Sequence, residues 1–173
     1  MGTNHPGEIR RLSAMAQPTI CLITNVGVAH IEFFGTRENI FRGKAEMLEH
    51  MRPGGAVIVN GDDDMLVRLP GAVRFGFQEH NDVRACEVED LGLSGSAFTV
   101  CAGGERARMQ VRAPGRHMIG NALAAVAAGL ALGMPLEELR EGVERFSPAA
   151  GRMQVRRGAH FTVLDDTYNA NPT

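Results

Sequence analysis

The chain lacks the features that would mark it for export, a membrane or nucleic acid. Its three cysteines, Cys21, Cys86 and Cys101, are an odd number with no Cys-x-x-Cys spacing. That suits a reduced cytoplasmic protein better than a disulfide framework, and the three read as small core residues. No apolar run approaches the roughly 20 residues of a membrane span. The longest is Ala122 to Leu132, and no basic-then-apolar leader opens the sequence. No charge of one sign dominates either: the formal net charge is −2, and the 18 Lys and Arg are scattered. With a pI near 6.3, there is no basic field to hold nucleic acid. The familiar chemical motifs are also missing, including G-x-x-x-x-G-K-[ST], G-x-G-x-x-G, H-E-x-x-H and G-x-S-x-G. "NPT" at 171–173 carries the proline that bars N-glycosylation.

What is present is an ordinary globular composition, 44% hydrophobic and 22% charged over 173 residues, enough for one buried core. Residues 19–60 read as a βαβ unit: "TICLITN" as strand, "TRENIFRGKAEMLEHM" as helix, and "GAVIVN" as strand after a Pro-Gly-Gly break. A parallel sheet is implied. Residues 72–113 change to short strands, "AVRFGF", "VRACEVE", "SAFTVCA" and "RARMQVRA", with Gly103-Gly104 at a tight hairpin. This predicts an antiparallel β-meander inserted into an α/β domain. Helices return at 121–132, ending at Gly133, and then at a segment opened by Pro135 with Leu136, Leu139, Val143 and Phe146 in one stripe. The pair "MQVRRGAHFTVLDD" closes the sequence as strands. The fold expected is α/β, a mostly parallel central sheet flanked by helices with a small antiparallel meander.

Three places invite a functional reading. Lys44 falls on the apolar face shared by Ile40, Met47, Leu48 and Met51. Either its stem snorkels along that face, or desolvation lowers its pKa and leaves a neutral, reactive amine. His30 follows the first strand, where open α/β sheets place ligands, although such a histidine also serves structure alone. "GRHMIGNALAAVAAG" sets Arg116, His117 and Asn121 against an alanine-rich helix. The carboxylates of "GDDD" at 61–64 suit a solvated turn.

Four separated stretches carry a resemblance: "MGTNHPGEI", "ITNVGVAHIEFFGTRENIFRGKAEML", "GRHMIGNALAAVAAGLALG" and "GRMQVRRGAHFTVLDDTYNANP". In order and spacing they are similar to the central domain of the Mur ligases, over nearly the whole chain. "NHPGEI" and "DDTYNANP" resemble the member that adds D-alanyl-D-alanine to UDP-N-acetylmuramoyl-tripeptide in peptidoglycan synthesis. The resemblance implies an ATP-dependent amide ligase in which ATP phosphorylates a carboxylate and an amine displaces phosphate from the acyl phosphate. Magnesium ions (Mg2+) would offset charge on the transferred phosphoryl group.

By the same resemblance His30 is a metal ligand, and Lys44 is the lysine that carbon dioxide carbamylates to complete the metal site. Only a neutral amine adds carbon dioxide, which agrees with an apolar setting for Lys44. Asn121 corresponds to the asparagine that recognises adenine, Arg152 to an arginine on the ATP phosphates, and Asp166 to an acidic residue near the ribose. From the residues alone these could equally be a helix cap, a surface charge and a strand-end turn. Asn4 and His5 match a segment near the UDP-linked substrate and could also cap the following turn. Tyr168, Asn169 and Asn171 resemble the start of a hinge over 166–173. Met118 stands where many members carry a second asparagine.

A complete family member also has an N-terminal UDP-binding domain, a phosphate-binding loop and a C-terminal domain. On this basis residues 1–173 are expected to be part of a central domain that does not ligate by itself. A folded non-catalytic module binding nucleotide or metal, or the core of a sister ligase such as another Mur ligase or a folylpolyglutamate synthase, are the alternatives. Without the sheet strand that carries the phosphate loop, an exposed edge and self-association are expected.

Overall fold

The computed structural model describes residues 1–29 and 31–168. Six strands form one sheet in sequence order: β1 (Ile20–Ile23), β2 (Ala56–Asn60), β3 (Val73–Gly76), β4 (Val83–Asp90), β5 (Ser96–Ala102) and β6 (Glu105–Val111). The β1 to β4 neighbours are parallel, and β4–β5–β6 are antiparallel. The mostly parallel α/β sheet with a short meander is therefore present. One boundary needs correction. The strand within "AVRFGF" belongs not to an antiparallel insertion at 72–113 but to the parallel sheet, with Val59 opposite Arg74 on β2 and β3. Only β4 to β6 form the meander.

Gly103 and Gly104 make the two-residue β5–β6 turn with φ of 57° and 87°, the doubly positive combination that a type I′ hairpin requires and glycine supplies without strain. The closing pair, β7 (Gln154–Arg157) and β8 (Thr162–Asp165), is antiparallel as expected but forms a separate two-stranded sheet.

Alternation along β2 divides the core. Ile58 faces a cluster with Phe75, Phe98, Val100 and Leu123, beneath α4 (Arg116–Ala131) and α5 (Leu136–Glu144). Val59 faces the other cluster, with Ile9, Cys21, Phe34, Ile40 and Met47, beneath α1 (Glu8–Ala16), α2 (Ile31–Phe34) and α3 (Arg37–Ala45). Leu136, Leu139 and Val143 of the α5 stripe are buried, while Phe146 stays largely exposed beyond the helix. Thr36 caps α3 by accepting from Asn39 N–H at 3.2 Å. The first turn of α1 lacks a side-chain cap of its own. The buried Glu46 carboxylate substitutes for it, accepting from Gly7 N–H at 2.9 Å and Arg10 N–H at 3.2 Å.

Helix α4 begins five residues before the sequence indicated, at Arg116, with Gly115 at φ 101° before it and no side-chain cap. Asn121 thus lies in its second turn and is not a helix cap. Of the cysteines, Cys21 is buried as expected, but Cys86 and Cys101 are only half-buried.

Among the described residues β1 pairs only with β2 and is an edge of the sheet. Self-association through that edge is expected to raise the mass measured by sedimentation equilibrium above monomer at high concentration. A clean monomer would remove the edge as an association surface.

Candidate functional site

The candidate site lies where the parallel strands end. The backbone after β1 turns through Thr24, Asn25 and Val26, and this loop is gripped at one peptide. Val26 N–H donates to Asp63 Oδ2 at 2.7 Å, while Arg37 Nε donates to Val26 O at 3.0 Å. Arg37 is itself held by Asp64 at 2.7 Å. Asp63 Oδ1 meanwhile accepts from Met65 and Leu66 N–H. Asp62 accepts from Phe77 N–H at 2.6 Å, Gln78 N–H at 3.1 Å and Asn81 Nδ2 at 2.8 Å. The acidic run is a turn, as its composition indicated, and it also ties the ends of β1, β2 and β3 together.

That grip places Asn25 O against Lys44, whose Nζ donates to it at 2.7 Å. Lys44 is half-buried, at the wall of a cavity of about 580 Å³ that includes Thr3, Thr24, Asn25, Phe34 and Ile40. Burial holds its ammonium below the ordinary lysine value, and the Asp63 carboxylate opposes part of the shift. Lys44 is thus partly desolvated at the cavity wall, with its Nζ held by the Asn25 carbonyl.

A second cavity of about 460 Å³ collects Asn121, Arg152 and Asp166 from α4, from the loop before β7 and from the end of β8. His117, Met118, Phe146, Pro148 and Tyr168 complete much of its lining. The Arg152 guanidinium lies 4.5 Å from the Tyr168 ring centre, and it makes no ion pair among the described residues. Asp166 Oδ1 accepts from Met153 N–H at 3.1 Å, which fixes the turn carrying Arg152. Asn121 is exposed, with Met118 Sδ at 3.8 Å from its Nδ2, so its amide is available to a ligand.

The two cavities have a common neighbour. A third, about 340 Å³, shares Thr24 and Asn25 with the Lys44 cavity and His117 and Asn121 with the second. Arg116 lines it and stacks 4.2 Å from the Phe77 ring centre. Asn25 and Phe77 were not singled out from the sequence, whereas Arg116 was marked there with His117 and Asn121 but given no role of its own. Asn25 could have been suspected from its position just beyond a parallel strand. Nothing in the local sequence signals the Arg116–Phe77 contact.

Asn4 and His5 do not join these cavities. Their backbone N–H groups donate to Glu8 Oε2 at 2.7 and 3.0 Å, which is the turn-capping alternative, and the His5 ring meets Phe33 edge-on at 4.9 Å. His30, Asn169 and Asn171 lie outside the described residues.

The strand ends thus carry a partly desolvated lysine in one cavity and an amide, a guanidinium and a carboxylate in another. The Mur ligase middle domain family matches residues 1–129, and the chain belongs to that family. More particularly, it is 37% identical over 179 residues to the UDP-N-acetylmuramoyl-tripeptide–D-alanyl-D-alanine ligase of Mycobacterium tuberculosis, covering 99% of this chain and 35% of that protein. MurF from Acinetobacter baumannii superposes with a TM-score of 0.92 at 36% identity, covering 99% of this chain and 39% of that one. MurF ligase from Thermotoga maritima in complex with ADP gives 0.86 at 26% identity, covering 98% and 40%. The chain thus spans little more than a third of the length of these relatives.

Proposed function

We propose that this chain is the nucleotide-binding part of an ATP-dependent ligase that joins D-alanyl-D-alanine to the tripeptide carboxylate of UDP-N-acetylmuramoyl-tripeptide, in the cytoplasm. The observation that carries the reading is the convergence of Asn121, Arg152 and Asp166 on one cavity, next to a second that shares Asn25 with the Lys44 cavity. In this reading an adenine would pack against Met118, Phe146 and Pro148, with its polar edge toward the Asn121 amide. Arg152 offers two-pronged donation to phosphate oxygens. Asp166 orders the Arg152 turn and, lining the same cavity, would accept from a ribose hydroxyl. The terminal phosphate would then extend toward the strand ends, where the substrate carboxylate would take the phosphoryl group and ADP leave. The amine of the incoming dipeptide attacks the resulting acyl phosphate, loses a proton and expels phosphate.

Magnesium would offset the charge of the transferred phosphoryl group. The described residues lining the Lys44 cavity include no carboxylate, so as they stand they do not make a magnesium site. Lys44 would add one oxygen-donor group if its neutral amine took up carbon dioxide to become a carbamate, with His30 as the second proposed ligand.

Titration of Mg-ATP into the chain by calorimetry tests the nucleotide assignment. Saturable binding is expected, weakened about tenfold in Asn121→Ala, the equivalent of one lost hydrogen bond. A folded chain with no saturable binding, or a variant that binds equally well, would remove Asn121 and its cavity from nucleotide recognition. Ligation assays on the full-length ligase with competing amines then decide between the D-alanyl-D-alanine enzyme and a sister ligase.

A further inference from the structure

The outer face of the meander carries a pair of side chains that the nucleotide cavity does not use. Cys86 of β4 lies opposite Thr99, and Cys101 of β5 lies opposite Arg84. The two cysteines are therefore diagonal neighbours on one face of the sheet. A β-bulge follows Cys86, with Glu87 at φ 52° and the register shifted before Glu89, and such bulges increase local strand twist and re-aim side chains. The result is a Cys86 Sγ to Cys101 Sγ separation of 2.8 Å. Both residues are half-buried, so small reagents reach them, unlike Cys21 in the core.

The surroundings hold this geometry. Glu87 accepts from Thr99 Oγ1 at 2.6 Å and from Arg106 at 2.5 Å, and Arg108 donates to Glu87 O at 2.6 Å. Three strands are thereby tied around the thiols. Arg106, opposite Cys101 on β6, is a cation beside both sulfur atoms. Burial and the neighbouring thiol nevertheless push the Cys86 thiol up, so reaction is favoured by higher pH.

We propose that Cys86 and Cys101 are a modification site, an oxidisable dithiol that reacts with low-molecular-weight disulfides to close a β4–β5 cross-strand disulfide. In the first step one protein thiolate attacks a sulfur of the small disulfide. The small S–S bond breaks, a protein–small-molecule mixed disulfide forms, and one small thiolate leaves. In the second step the neighbouring protein thiol loses its proton and attacks the protein sulfur of that mixed disulfide, expelling the second small thiolate. The two protein thiols are oxidised, the small disulfide is reduced to two thiols, and protons balance between them. Because the second sulfur already sits beside the first, ring closure outpaces accumulation of the adduct. The bridge closes over the bulge and pins the β4–β5 connection, away from the lining of the nucleotide cavity.

The test is to treat the folded chain with oxidised glutathione over a pH series and follow intact mass and thiol alkylation. The expected product has lost the mass of two hydrogens, carries no glutathione, and yields a linked peptide pair containing Cys86 and Cys101. It forms faster as pH rises, and it melts roughly 5 °C higher than the reduced chain. Cys86→Ser and Cys101→Ser should each stop at a single glutathione adduct on the remaining partner. A stable adduct on the unsubstituted chain, or alkylation of both cysteines after the oxidant, would overturn the proposal. So would a linkage involving Cys21.

Discussion

Gly95→Ala is expected to destabilise the chain by about 3 kcal/mol or more, the sum of backbone strain and forced overpacking. Gly95 has φ 99° and ψ −142°, a region open to glycine and strained for any L side chain. An added Cβ would lie 1.9 Å from Val111 O and 2.9 Å from Ala113 N. Both obstacles are backbone, so no side-chain rotation relieves them. Gly95 O also accepts from Leu91 N–H at 2.9 Å, closing the β4–β5 connection, so displacement of this residue unpicks the turn as well. In urea the midpoint should fall with an unchanged slope, and the melting temperature should drop by roughly 10 °C. Gly71→Ala is the internal comparison. Its φ is 67° but an added Cβ meets nothing within 4 Å, so only the left-handed backbone penalty of about 1 kcal/mol applies. Equal losses at the two sites would mean that the Gly95 contacts relax freely.

The difference between these glycines is invisible in the sequence, where both simply follow other turn residues. The same division runs through the whole fold. The βαβ unit was legible because β1, α3 and β2 each carry their own periodicity. The Gly103-Gly104 hairpin was legible because the turn needs two positive φ angles in succession. Lys44 was legible only in part, since it shares α3 with Ile40 but the helix ends at Ala45, and Met47 and Leu48 follow in a 3-10 turn with Met51 beyond it. The parallel pairing of β3 was not, since a four-residue apolar strand reads alike in a parallel sheet and in a hairpin. The true start of α4 was hidden because Gly115 supplies no capping side chain. Asn121 was located by resemblance, but its place in the second turn, beside the cavity and not at the helix end, needed the structure. Least legible were contacts that cross the chain: the Asp63 and Arg37 grip on Val26, and the Arg116–Phe77 stack. Each partner is unremarkable locally, and only the sheet order brings them together. The cysteines show the same limit, because their approach depends on strand register and a bulge.

Lys44→Met is expected to move stability and activity in opposite directions. The unfolded chain binds the lysine proton with its ordinary affinity, whereas burial makes the folded chain bind it less readily. Between the depressed folded pKa and the ordinary lysine value the unfolded state therefore carries more protons, and wild-type stability rises with pH across that window. Below the window the full cost of burying the ammonium is present. Methionine fills the space without a proton, so its stability should exceed that of the wild type at neutral pH. The gap should narrow as pH climbs toward the ordinary lysine value. Urea midpoints over a pH series give this directly. Parallel curves, with the methionine variant the weaker, would mean that Asn25 and Asp63 hold a charged lysine and that the neutral-amine reading is wrong. The same exchange in the full-length ligase is expected to cost on the order of a hundredfold or more in turnover, the scale of losing a positioned reactive group. The chemical link proposed between the two effects is the carbamate: a neutral Lys44 amine would add carbon dioxide and release a proton, leaving a carboxylate where the described cavity wall has none. In carbon-13 bicarbonate the folded wild type should show a carbamate resonance that Lys44→Met lacks. A folded wild type without that resonance would separate the depressed pKa from carbamylation and leave Lys44 as a desolvated amine hydrogen-bonded to Asn25.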